Sequence, residues 1–399
     1  METSLYIHVP FCAGTCDYCD FYSVLVTPQG AQSEDPRLQR YIEKLLSQAG
    51  RLFDTYKPSL LPTLYIGGGT PSVLGPAGIL RLLRGLSQIT SRHCPPPTEV
   101  TIEANPESAD EAFLAAAREG GATRLSLGVQ SFHGPSRRAA GRTGAGGPLL
   151  RRRLALAGEY FPAAFSGDIM SGLPFQTERV LLDDIGTLLG YSPAHVSLYA
   201  LTLEPQTPLA LAARPSLPHP DEADRLWLRG RDALETSGYS QYEVSNFCLP
   251  GQESRHNIRY WRIQNWLALG PGSSATIIGD TAAARVQGAR YTVPPDVDRW
   301  LTGEPPDTLF DVEELDTPTL VKETFLMGFR YIEGPDEALF HRRFGLSIGD
   351  VIPKTLAAWR DRGLLRKDRA ALTKDGLLFL GPFLIDVFRE LDDSPLYRR

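Results

Sequence analysis

The sequence predicts an α/β fold: a partial (β/α)6, TIM-like barrel of parallel strands over residues 1–278, joined through 279–310 to a small winged-helix-like α+β domain at 311–399. Short β-branched or apolar runs alternate six times with longer amphipathic stretches, as expected of successive strand–helix units. The runs end in glycine or polar residues, which is where a parallel barrel gathers its site. Beyond Pro305 the pattern changes to helices with one short hairpin.

The strands are expected at 5–9, 63–66, 100–103, 124–128, 166–170 and 196–201, and the helices at 37–53, 77–89, 109–118, 149–159, 178–189 and 221–236. Prolines at 294–295 and 305–306 mark the connection. Thr317 is then expected to cap a helix that opens on Pro318 and runs through Phe329. Further helices are expected at 336–344 and 348–360, a hairpin from 364–366 and 370–373, and a last helix at 376–390. The stretch 311–399 holds 16 acidic and 14 basic residues, so the DNA-binding use of a winged helix is not supported.

The most specific signal is the spacing of Cys12, Cys16 and Cys19, C-x3-C-x2-C, directly after the first strand. Three thiolates so close together can each hold one iron of a cubane cluster and leave the fourth iron open. Structural zinc completed by His8 and redox-active thiols are the alternatives, but zinc prefers a second cysteine pair, and Cys94 and Cys248 stand alone. Five cysteines and no signal segment argue against a secreted disulfide framework. With 42% apolar residues, net charge −6 and no apolar run of membrane-spanning length, the expectation is a soluble cytoplasmic protein that does not bind nucleic acid. A basic cluster at Arg137, Arg138 and Arg151 to Arg153 reads as a solvated helix face.

The strand ends supply the other chemistry. In Gly67-Gly-Gly-Thr-Pro the missing side chains let backbone groups approach a ligand, and Thr70 adds a hydroxyl. Glu103 and Asp168 are placed to accept hydrogen bonds from ribose hydroxyls. Gln130 offers both amide ends, and Arg142 can fork onto a carboxylate.

Taken with Glu103-Ala-Asn-Pro, Gly128-Val-Gln-Ser-Phe and Asp168-Ile-Met-Ser-Gly-Leu-Pro, these motifs resemble the radical S-adenosylmethionine (SAM) superfamily, in the branch related to oxygen-independent coproporphyrinogen III oxidase. The resemblance implies that Cys12, Cys16 and Cys19 hold a 4Fe-4S cluster and that SAM chelates its open iron. It also implies SAM contacts from Tyr6, Tyr18, Gly68, Gly69, Thr70, Glu103, Gln130, Arg142, Asp168 and Ala200. One departure is Gly144, which stands where the family often has histidine.

Two features separate functions within that branch. The porphyrin-biosynthetic oxidases carry a fourth cysteine where this chain has Phe21. His256, Asn257, Tyr260 and Trp261 fit the H-N-x-x-Y-W pattern of HemW-type haem chaperones, which implies haem as bound cargo, a haem-accepting apo-protein such as a respiratory cytochrome, and an electron donor for the cluster. Imidazole is a common axial haem ligand, although a lone histidine among aromatics is more often a packed one. The alternative is coproporphyrinogen III dehydrogenation or radical chemistry on a related tetrapyrrole, and base rates suggest a homodimer.

Overall fold

A computed structural model describes residues 1–26, 35–212, 216–279, 286–303 and 311–393. Its core is a parallel sheet of β1 (Ser4–Val9), β2 (Thr63–Gly68), β3 (Glu99–Ala104), β4 (Arg124–Gln130), β5 (Phe165–Ser171) and β6 (His195–Ala200), side by side in chain order. Alternation within each strand sets the architecture. In β1, Leu5, Ile7 and Val9 are fully buried, while the alternate residues Tyr6 and His8 point inward with the polar set.

The crossover helices are α1 (Pro36–Tyr56), α2 (Gly75–Thr90), α3 (Glu111–Glu119), α4 (Gly147–Tyr160), α5 (Glu178–Leu189) and α6 (Pro220–Thr236). Their starts follow local rules. The Asp35 carboxylate accepts the Arg37 N–H ahead of Pro36, and the Asp110 carboxylate accepts the Phe113 N–H. One apolar cluster, including Leu45, Phe53, Leu82, Phe113 and Leu188, fills the space between these helices and the strands.

Among the described residues the sheet has twelve strands and extends past both ends of the parallel set. β7 (Asn246–Cys248) adds antiparallel to β6, α7 (Arg255–Trp261) follows, and β8 (Trp266–Leu269) runs parallel to β1 on the other side. β9 (Ser274–Ile278), β10 (Val286–Thr292) and β11 (Asp311–Asp316) continue antiparallel from there.

The stretch expected to be a linker is therefore structured where it is described. β10 pairs on both sides, and α8 (Val297–Thr302) buries Trp300 against Tyr41 of α1. The prolines at 305–306 lie outside the described residues. Aromatic anchoring, which proline counting does not register, makes 286–303 part of the main body.

The C-terminal helices α9 (Thr317–Gly328), α10 (Glu337–Phe344), α11 (Pro353–Asp361) and α12 (Leu380–Asp393) have their own core, with Phe325, Phe329, Trp359 and Phe383 at its centre. α9 is capped by Asp316, whose carboxylate accepts the Thr319 N–H, rather than by Thr317. The helix expected at 348–360 is broken at Ile352 before Pro353, because the residue before a proline disfavours helical geometry. The expected hairpin is present as a bridge between Leu365 and Leu372.

Candidate functional site

At the carboxyl ends of the parallel strands lies a cavity of about 510 Å³, a size suited to a small organic ligand. Cys12, Cys16 and Cys19 line it, as do Tyr18, Gly68, Gly69, Thr70, Glu103, Gln130, Arg142, Asp168 and Ala200. All three thiols are free. The Thr70 hydroxyl lies 3.3 Å from Cys12 Sγ, and burial beside Cys16 and Cys12 pushes the Cys19 thiol up to about 11. Among the described residues, no three His, Cys, Asp or Glu side chains gather closely enough for a single metal ion.

The glycine run is built for close approach. Gly68 has φ 108°, and a β carbon on Gly69 would meet Phe11 O at 2.8 Å and Cys12 Sγ at 3.0 Å. Gln130 ends β4 at φ 68°, where the register with β5 shifts, and its Oε1 is buried without a partner. Strained backbone and an unspent acceptor facing a cavity are features of a ligand contact.

Glu103 is held between Tyr65 Oη, which donates at 2.6 Å, and the Gly68 N–H at 3.2 Å. Burial, reinforced by the nearby Asp168, still pushes Glu103 up to about 7. Ser126 donates to both Asp168 oxygens at 3.3 and 3.2 Å, and burial raises that carboxyl too. Ser126 was missed by motif reading, although it faces inward two residues before Gly128 and strand alternation could have found it.

Arg142 donates to Tyr18 Oη at 3.0 Å, Asn105 Oδ1 at 2.7 Å and Gly128 O at 3.1 Å, which fixes the guanidinium at the cavity wall. Asn105 is thus a positioning residue within the Glu103-Ala-Asn-Pro motif. Beside it, a β carbon on Gly144 would sit 2.7 Å from Glu107 Cγ, so in this chain Glu107 fills the space next to the departure from the family pattern. Arg137 does not belong to a solvated face. It is 3% exposed and donates to Ala145 O, Val129 O and Ser131 O, with Glu107 3.4 Å away.

Tyr6 lies just outside this lining, its hydroxyl 3.0 Å from His8 Nδ1, while His8 Nε2 faces Tyr22 O at 3.1 Å.

His256, Asn257, Tyr260 and Trp261 are not gathered at the cavity. They form α7, which sits at the amino ends of the strands. Glu99 at the start of β3 accepts the Arg255 and His256 backbone N–H groups at 3.0 Å each, and the Asn257 N–H donates to Ser254 Oγ. His256 is 1% exposed, with Nδ1 2.7 Å from Thr63 Oγ1 and Nε2 2.9 Å from Tyr260 Oη. Its ring stacks on Tyr65 at 5.0 Å, and burial lowers its pKa to about 3. Trp261 stacks on Tyr331 at 6.0 Å and ties the barrel to the C-terminal helices. Cys248 is buried, and its thiol is pushed up to about 12 by burial.

Residues 6–188 match the family described as the radical SAM superfamily. The mouse protein "Radical S-adenosyl methionine domain-containing protein 1, mitochondrial" is 33% identical over 100% of this chain and 90% of its own length. "Heme chaperone HemW" of Escherichia coli is 32% identical, covering 96% of this chain and 97% of that protein, and that of Lactococcus lactis is 31% identical, covering 92% and 91%. Among solved structures, the E. coli coproporphyrinogen III oxidase HemN superposes with a TM-score of 0.80 at 20% identity, covering 97% of this chain and 90% of that one, and so shares its fold. With near-full-length identity at this level, the chain belongs to the radical SAM superfamily, in the branch of the HemW proteins.

Proposed function

We propose that this protein is a haem chaperone that binds a 4Fe-4S cluster and SAM in the cavity and passes haem to an apo-protein acceptor. The observation that carries this reading is identity of about one third, over nearly the whole chain, to proteins named as haem chaperones. Phe21 supports it against the dehydrogenase alternative, since the position that holds a fourth cysteine in the resembling oxidases is here an aromatic ring, 68% exposed at the cavity lip.

In this reading Cys12, Cys16 and Cys19 hold the cluster, and the Gly68–Thr70 backbone with Gln130 and Arg142 orients the amino-acid end of SAM. Glu103 and Asp168 take the ribose hydroxyls. When bound, the cluster would supply single electrons to the sulfonium of SAM. Met170, Leu201 and Tyr18 line the same cavity and would limit water around the bound group.

His256 is the proposed haem ligand on the strength of its motif, and ligation would require release of its Thr63 or Tyr260 bond. Anaerobic haem titration of the wild type and His256→Ala tests both levels. Stoichiometric binding by the wild type is expected, with loss of the axial-ligand absorbance change in the variant. Equal spectra from the two would remove His256 as ligand, and no binding by either would remove the chaperone reading. Efficient conversion of coproporphyrinogen III under reducing conditions would favour the dehydrogenase instead.

A further inference from the structure

Beneath the cavity, β4 carries a third charged group, below the level of the two carboxylates and on the strand between theirs. β4 lies between β3, which bears Glu103, and β5, which bears Asp168. Ser126 of β4 is in register with Glu103 on one side and Ser166 on the other, and Gly128 is in register with Asp168. Arg124 is two residues below Ser126, so its side chain projects from the same inward face. It is 9% exposed, and no described residue accepts a hydrogen bond from its guanidinium.

A guanidinium drawn largely out of water is costly unless its charge is used. Here it lies within electrostatic range of Glu103 and Asp168 and favours the ionised form of both. Arg142 faces the pair from the cavity wall, its guanidinium bonded to Gly128 O beside Asp168, and the other groups facing it are neutral phenols and hydroxyls. Tyr65 of β2 and Ser126 donate to them, Tyr6 of β1 and Tyr260 of α7 lie near Glu103, and Tyr199 of β6 lies near both. On the floor side, His195 of β6 faces Arg124 and is held uncharged by burial and by that charge. Two adjacent carboxylates oppose each other's ionisation, and Arg124 offsets this from the strand between them.

We propose that Arg124 is the internal counter-ion of the SAM site, a positioning residue that shifts Glu103 and Asp168 toward the ionised form in which both accept hydrogen bonds from the bound ribose. The proposal rests on the reading that the cavity takes SAM. Its consequence is a pH dependence. Removing the charge makes the carboxylates hold protons at higher pH, so SAM affinity falls near neutrality and recovers as the pH is raised.

The test is calorimetric titration of the cluster-loaded protein with SAM, without reductant, from pH 6 to 9, for the wild type, Arg124→Met, Arg124→Gln and Arg124→Lys. The two uncharged variants should bind about tenfold more weakly at pH 7, with the deficit shrinking toward pH 9, and Arg124→Lys should restore the wild-type profile. Arg124→Gln keeps polarity and serves if Arg124→Met does not fold. A loss that is uniform across pH, or no loss, overturns the proposal, as does a lysine variant that behaves like the uncharged ones. Absence of SAM binding by the wild type at every pH would instead remove the reading on which the proposal rests.

Discussion

The two ends of the strands treat their polar groups in opposite ways. At the amino ends, the floor spends them internally: Thr63, His256 and Tyr260 form one hydrogen-bonded chain, and Ser166, His195 and Tyr242 form another with 2.7 Å links. At the carboxyl ends, the cavity leaves some of them available: three free thiols and the unpartnered Gln130 Oε1. Polar groups satisfied within the protein contribute to stability, whereas groups left unspent at a cavity contribute to binding. Substitutions at the cavity should therefore change ligands at little cost in stability, and substitutions in the floor should do the reverse.

The largest expected effect is at the cavity. Replacing any one of Cys12, Cys16 or Cys19 by Ala should reduce iron from about four per chain to a small residue after anaerobic reconstitution, while the unfolding free energy of the metal-free protein stays within about 0.5 kcal/mol of wild type. Wild-type iron content in any of the three variants would break the comparison at its strongest point.

Next comes the floor. Glu99→Ala removes a carboxylate that accepts two backbone N–H groups at the start of α7 and should cost about 3 kcal/mol in urea unfolding, with iron content after reconstitution unchanged. Thr63→Val, which leaves His256 Nδ1 unpaired, should cost about 1–2 kcal/mol.

Opposite pH slopes sharpen the contrast. Burial lowers His256 to about 3, so between its unfolded value near 6.5 and about 3 the unfolded chain binds more protons. The stability associated with the neutral ring is thus present above 6.5 and is lost as the pH falls. Glu103, raised to about 7, has the opposite sign: between about 4.5 and 7 the folded state holds the extra proton, and stability rises on acidification. Denaturation of metal-free Glu103→Gln between pH 5 and 8 should lack that second component, and an unchanged curve would show that the carboxyl is not perturbed. The smallest effect is Gln130→Gly, which should relieve the φ 68° strain and stabilise by about 0.5–1 kcal/mol while weakening SAM binding.

Much of the cavity is legible in local sequence because its parts sit at strand ends, where motifs such as Gly67-Gly-Gly-Thr and Glu103-Ala-Asn-Pro are contiguous. Arg137 was misread because a run of arginines looks solvated, and only the packing of the end of β4 and of the loop to Ala145 around it supplies the Val129, Ser131 and Ala145 carbonyls for its N–H groups. Arg124 carries no motif at all. Its meaning depends on which strands flank β4, a property of sheet order and register.

The sequence by itself determined the parallel α/β body, the separate C-terminal helices, the three-cysteine loop and most of the cavity lining, because strand period, helix caps and turn chemistry are local. Tertiary structure decided that 286–303 belongs to the main body, that the His256 segment closes the opposite end of the strands from the cysteines, and that Arg124 stands on the strand between those of two carboxylates. The physical reason is that burial and hydrogen-bond partnership come from residues distant in the chain: Thr63 and His256 are 193 positions apart, and no local pattern shows that each satisfies the other.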